Sequence, residues 1–132
     1  MIRNITYKNQ LFAIIINKKY LGLKGVNFFT KPNFNLQVGY LNHPKNLKIQ
    51  PHSHKKGIRK IKGTTEVLFI VDGILKINFY NVKKKYVFSR LAKKNDIIIL
   101  LSGGHGFEIL KSCKILEVKQ GPYVESLDKN KF

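Results

Sequence analysis

An all-β fold, an antiparallel barrel with little helix, is what this sequence predicts, and three observations lead to it. Short apolar runs recur at close spacing, punctuated by Gly, Pro, Asn and Asp. The clearest return strand alternates with a period of two, Leu75, Ile77 and Phe79 against Lys76, Asn78 and Tyr80. No stretch of helical length carries an apolar period of 3.6, and no internal repeat is present. At 132 residues the chain suits one compact domain with a real core.

Taken in order, the first apolar run is Leu11-Phe12-Ala13-Ile14-Ile15-Ile16. It predicts a strand over 11–16, added at an edge or across a dimer, within an N-terminal edge segment 1–24. The barrel is expected over 25–123, and a fraying tail over 124–132. Strands are expected at 36–41 and 47–54. Glu66-Val67-Leu68-Phe69-Ile70-Val71 predicts a strand over 66–71 that ends at Asp72-Gly73, a dipeptide favoured by type I′ hairpin turns. The return strand is 74–80, and a polar turn over 81–85 leads into 86–91. Residues 96–101 are apolar after Asp96, so a strand there is expected to be buried on both faces. Strands over 106–110 and 113–119 complete the set.

No apolar stretch reaches the roughly 18 residues of a membrane span, and the run at 11–16 has no small-residue cleavage site after it. Cys113 is the single cysteine, so no intrachain disulfide forms and a reducing, cytoplasmic setting is expected. The formal charge of +18 would ordinarily point to nucleic acid. The excess is nearly all lysine, however, with only Arg3, Arg59 and Arg90 as arginines, and Asn and Ile are abundant beside it. That combination reflects an AT-rich coding sequence more than selection for the bidentate arginine fork that phosphate recognition favours. No nucleic-acid or membrane partner is expected. A small anionic ligand suits the positive field.

Histidine is scarce, which makes its placement informative. His52 and His54 stand two apart, Glu66 opens an apolar strand, and His105 sits in Ser102-Gly103-Gly104-His105-Gly106. Residues two apart on a strand share a face, so His52 and His54 can reach one ion, and Glu66 shares the inward face of Leu68 and Ile70. Three imidazoles and one carboxylate form a ligand set for one divalent transition metal: Fe, Mn, Ni, Co or Zn. The fourth histidine, His43, lies beside Pro44 in an expected loop.

This pattern resembles the cupin superfamily, whose first motif reads roughly G-x5-H-x-H-x3-4-E-x6-G and whose second reads G-x5-P-x-G-x2-H-x3-N. His52 and His54 match the H-x-H half, and Glu66 to Gly73 the E-x6-G half. Eleven residues, 55–65, separate His54 from Glu66, where a typical cupin has three or four. In the second motif Asn95-Asp96 replaces Gly-Asp, Leu101 replaces the proline, and His105 follows its glycine one residue early. More narrowly, the segments around Thr65, His105 and Gly121-Pro122-Tyr123 resemble small, single-domain cupins of no settled function. The resemblance spans roughly residues 25–123. It implies a jelly-roll (double-stranded β-helix) barrel, metal ligation by His52, His54, Glu66 and His105, and a homodimer paired through edge strands.

Other residues bear on chemistry. The insert over 55–65 leaves one implied ligand and returns at another. It is either a solvated basic hairpin or a lip that attracts a carboxylate or phosphate, with Arg59 to orient a substrate. Glu117 and Lys119 share a face with Cys113 and Ile115. They form either a salt-bridged rim pair or a general acid/base pair at the barrel mouth. Tyr123 either contacts substrate or only covers an edge. Glu108 is out of phase with His105 and is expected to face away. Cys113 reads as a small buried apolar side chain. No P-loop, dinucleotide fingerprint or nucleophile elbow is present. Two functions follow as expectations: a metal-dependent enzyme of carbohydrate or related metabolism, isomerising, epimerising or dioxygenating a small polar or anionic substrate, or a non-catalytic module that binds a metal or ligand.

Overall fold

The computed structural model describes residues 1–124 and 128–132, and its eight elements are all strands. The chain forms two compact units, Met1–Tyr20 with Thr64–Phe132, and Leu21–Gly63. The first holds β1 (Ile2–Tyr7), β2 (Gln10–Ile16), β5 (Glu66–Tyr80), β6 (Tyr86–Lys93), β7 (Ile97–Leu100) and β8 (Gly104–Lys119). The second holds the hairpin β3 (Gly25–Phe28) and β4 (Gly39–Asn42). All-β architecture is therefore established. Within the first unit the antiparallel sheet runs β1-β2-β7-β5-β6, with β8 also paired to β5.

β5 curls this sheet into a half-barrel. Its first part pairs with β7 and the end of β8, and its second part with β6 and the start of β8. Glu66, Leu68 and Ile70 are buried, and then the phase slips so that Leu75, Ile77 and Phe79 are. The slip occurs where the β5–β8 register shifts three times between Ile70 and Leu75. A β-bulge adds a residue to one strand and bends it, which keeps the same face turned inward around the curl.

This corrects the expected hairpin at Asp72-Gly73. The chain does not reverse there; β5 continues through it, and β8 runs unbroken where two strands at 106–110 and 113–119 were expected. The physical reason is that a positive φ serves a bulge as well as a I′ turn. Gly73 has φ 97°, and a Cβ there would meet the Ser112 carbonyl oxygen at 2.2 Å. The actual reversal between β6 and β7 is tied by Asp96, a 2 % exposed carboxylate. It accepts hydrogen bonds from Asn17 Nδ2 at 3.0 Å, Lys18 N at 3.1 Å and Lys93 N at 3.0 Å.

β7 lies between β2 and β5, and Ile98, Ile99 and Leu100 are buried, as its uninterrupted apolar run predicts. Phe12, Phe79 and Phe88 meet at centroid distances of 5.4–6.3 Å inside the core. Burying each such side chain contributes about 1.5–3 kcal/mol.

In Leu21–Gly63 the strand expected at 36–41 is displaced to Gly39–Asn42, and the strand expected at 47–54 is absent. Pro51 removes a ladder donor there, and no strand of this unit pairs with 47–54. The expected tail 124–132 is partly built: Asp128 and Phe132 make defined contacts, and 125–127 lie outside the described residues.

Candidate functional site

Glu66 and His105 are the most chemically pointed pair in the sheet unit. Glu66 opens β5 against Leu100 on one side and Lys119 on the other. His105 begins β8 opposite Phe79, an inward position. The curl of the β5–β8 ribbon returns its two ends toward each other, so His105 Nε2 lies 3.0 Å from Glu66 Oε2. The side chains are 28 % and 10 % exposed respectively. The His105 hydrogen bond holds the Glu66 carboxyl below its ordinary value, against the opposing effect of burial. An ionised carboxylate only accepts, so Nε2 carries the proton of this bond. Phe107 lies beside the imidazole, with ring centroids 5.2 Å apart and planes tilted by 34°.

Register places Lys119 and Glu117 on this same concave face, opposite Glu66 and Leu68. Cys113 packs against the core, as its apolar character predicts, and burial pushes its thiol up. Lys119 Nζ donates to Asp128 Oδ2 at 3.0 Å and sits 4.3 Å from the Tyr123 ring centroid. The Asp128 hydrogen bond raises the proton affinity of Lys119, so it acts as a fixed cation. Gln120 Oε1 accepts from Thr65 N at 2.8 Å, beside Glu66, while Gln120 Nε2 is buried and finds no protein partner. Glu108 turns to the opposite face, as its phase predicts, and pairs with Lys76 at 3.1 Å. Neither Gln120 nor Asp128 stood out in the sequence. Gln120 follows the last strand, and nothing local to Asp128 links it to a residue nine positions earlier.

The remaining candidates belong to Leu21–Gly63 and are described within it. His52 and His54 are exposed, with ring centroids 5.5 Å apart, edge to face. They lie on irregular chain, which corrects the strand expected to carry them, and His52 Nδ1 lies 3.0 Å from the Gln50 carbonyl oxygen. Arg59 and His43 are exposed. Among the described residues no three His, Cys, Asp or Glu side chains are gathered around one point. Of the four residues expected as ligands, Glu66 and His105 meet in one unit, and His52 and His54 lie together in the other. Each pair fits the nitrogen and oxygen chemistry of a divalent transition metal.

No family model, curated protein or solved structure matches this chain. No helix among the described residues is long and apolar enough to cross a membrane.

Proposed function

We propose that this chain is a metal-dependent protein of the cupin type that acts on a small polar or anionic molecule. The single observation that supports this reading is the Glu66–His105 pair, a buried carboxylate and an inward imidazole on the concave face of a curled antiparallel sheet. Buried charge is costly unless it is paired or ligating, so a carboxylate at that position calls for a partner. In the finer reading the barrel is a jelly roll, and His52 and His54 complete the ligand set. The ion, when bound, would supply Lewis-acid polarisation of a substrate carbonyl or hydroxyl, or activation of water or dioxygen. The chain's own residues do the rest. Glu66 and His105 would hold the ion in place of their mutual hydrogen bond, and Lys119 presents a cation to the substrate's negative end. Arg59 and Tyr123 are the further substrate contacts in this reading, and Glu117 the residue for proton transfer. Isomerisation or epimerisation of a sugar derivative and dioxygenation are the reaction classes that suit such a site.

A non-catalytic binding module is the second reading, and one observation favours it. The Lys119 ammonium is neutralised by Asp128, an arrangement that binds charge and does not relay protons. A cytoplasmic homodimer completes the proposal. In support, β8 is paired on β5 alone among the described residues, and it exposes Phe107, Ile109, Leu116 and Val118.

The test is metal analysis of the purified chain, with about one divalent ion per chain expected. His52→Ala/His54→Ala and Glu66→Gln/His105→Ala should each remove it, because two ligands hold an ion poorly. Unchanged metal in both double variants rejects the reading. Turnover that stops on chelation separates the enzyme from the binding module.

A further inference from the structure

Acidic residues are spread unevenly along the chain. All seven Asp and Glu lie at Glu66 or beyond it, so Leu21–Gly63 holds nine Lys and Arg and no carboxylate. None of these cations can form an ion pair within its own unit, and all nine are exposed. Coding bias toward A and T raises lysine, but it does not remove aspartate and glutamate, whose codons it also permits. The excess peaks in Lys55-Lys56-Gly57-Ile58-Arg59-Lys60-Ile61-Lys62, five cations in eight residues. Every residue from 43 to 64 is exposed, and 55–61 make no hydrogen bond among the described residues. The far end of the segment is tied to its own unit, where Asn35 Nδ2 donates to the Lys62 carbonyl oxygen.

We propose that this segment docks the chain peripherally on an anionic lipid bilayer. Charge alone would suit any polyanion, and the side chains between the cations make the choice. Ile58 is 97 % exposed and stands between Lys56 and Arg59; Ile61 stands between Lys60 and Lys62. The same interleaving occurs upstream, where Leu47 and Ile49 are more than half exposed beside Lys45 and Lys48. Cations that meet lipid phosphates, with aliphatic side chains that enter the boundary of the acyl chains, are the two parts of interfacial attachment. Each Lys or Arg held near such a surface is worth about fivefold in affinity. The headgroup layer is wet, so a backbone without internal hydrogen bonds loses nothing by lying in it. Single-stranded nucleic acid fits less well. It is bound by bases stacking on aromatic side chains, and 43–63 contain no Phe, Tyr or Trp. The inference departs from the sequence expectation of no membrane partner, which rested on the absence of a span; a peripheral site needs none. It is independent of the Glu66–His105 reading.

The experiment is flotation of the full chain with vesicles of phosphatidylcholine alone, or of phosphatidylcholine and phosphatidylserine in equal parts. The parent should bind only the mixed vesicles, and less as salt rises. Arg59 is left intact in every variant, so its role toward a substrate is not disturbed. Replacing Lys55, Lys56, Lys60 and Lys62 with Gln should weaken vesicle binding about a hundredfold or more. Replacing Lys83, Lys85, Lys111 and Lys114 with Gln removes the same charge from the sheet unit and should cost less than about fivefold. Ile58→Ser keeps every charge and, with its side chain already in water, the fold. It should weaken vesicle binding about tenfold and leave the binding of a single-stranded oligonucleotide unchanged. That variant carries the test even where a fourfold replacement fails to fold. Equal binding to both vesicle types, equal losses from the two lysine sets, or an Ile58→Ser chain that binds vesicles like the parent would each overturn the proposal. An oligonucleotide bound more tightly than the mixed vesicles at the same salt would overturn it in favour of nucleic acid.

Discussion

The two units use similar apolar residues to very different effect. Every buried hydrophobic residue of the core, from Ile5 to Leu100, belongs to the sheet unit, whereas Leu21–Gly63 buries only Thr30 and leaves Leu23, Phe28, Leu41 and Ile49 more than half exposed. Local pattern does not explain the contrast. Leu47-Lys48-Ile49-Gln50 alternates as cleanly as Leu75-Lys76-Ile77-Asn78. The difference lies in partners: Leu75 and Ile77 have ladders on both sides, from β6 and from β8, and 47–50 has none within its unit. β propensity is a fit to neighbours more than a property of the segment.

The largest effect expected from this contrast sets Phe79 against Phe28. Phe79 is 1 % exposed and Phe28 61 %. Phe79→Ala should cost about 3–5 kcal/mol in urea unfolding, and Phe28→Ala within about 0.5 kcal/mol of zero. Comparable losses for the two would show that Phe28 is buried in the folded protein and would end the comparison.

Next comes the bend of β5. Gly73 combines φ 97° with a closed space, since a Cβ would press on the Ser112 and Lys111 carbonyl oxygens. Gly73→Ala should cost at least about 1–3 kcal/mol from backbone strain alone. Gly57, in the other unit, has nothing within 4 Å of a built Cβ and no positive φ, so Gly57→Ala should be neutral or slightly stabilising. A stable Gly73→Ala protein with an unaltered melting temperature would mean the bend is made some other way.

These cases show what was readable and what was not. The inward face of Glu66 followed from its parity with Leu68 and Ile70, and the burial of β7 from its unbroken apolar run. Asp72-Gly73 misled because a bulge and a hairpin draw on the same φ-permissive residues; the choice belongs to β8, some forty residues later. The face of Lys119 stayed open for a like reason. Alternation alone left two orientations, and only the register with Glu66 selects one. Asp128 left no local trace because its partner sits across segment 125–127 and is specified by the fold.

A smaller effect is expected from pH. The Glu66 carboxyl is held below its ordinary value of 4.5, first by the His105 hydrogen bond. A lowered carboxyl contributes stability that is fully present above its unfolded value and is lost as pH falls through the folded one. The parent should therefore lose stability in acid below about pH 4.5, and Glu66→Gln should lose less over that window. Parallel acid profiles would show that the pair contributes nothing to the fold. Asp72 and Glu108 are also lowered but exposed, so their share is screened by solvent.

The smallest expected effect bears most directly on the comparison. Ile49 is 60 % exposed and Ile58 97 %, and neither belongs to a strand. Replacing an exposed apolar side chain away from caps and special backbone changes stability by less than about 0.5 kcal/mol. Ile58→Ser should obey that limit, since nearly all of its surface is already in water. Ile49→Ser is the sharper case, because its alternating segment leads directly into Pro51 and His52. A near-zero change at both positions keeps 47–54 as open chain and leaves the two histidines without a strand to align them. A loss above about 1 kcal/mol at Ile49 alone would mean that its side chain leaves water on folding, as an inward strand position does. The alternation of 47–50 would then be a true strand signal, and His52 and His54 would share one face. Urea midpoints of the two variants, measured with and without added divalent metal, decide between these outcomes.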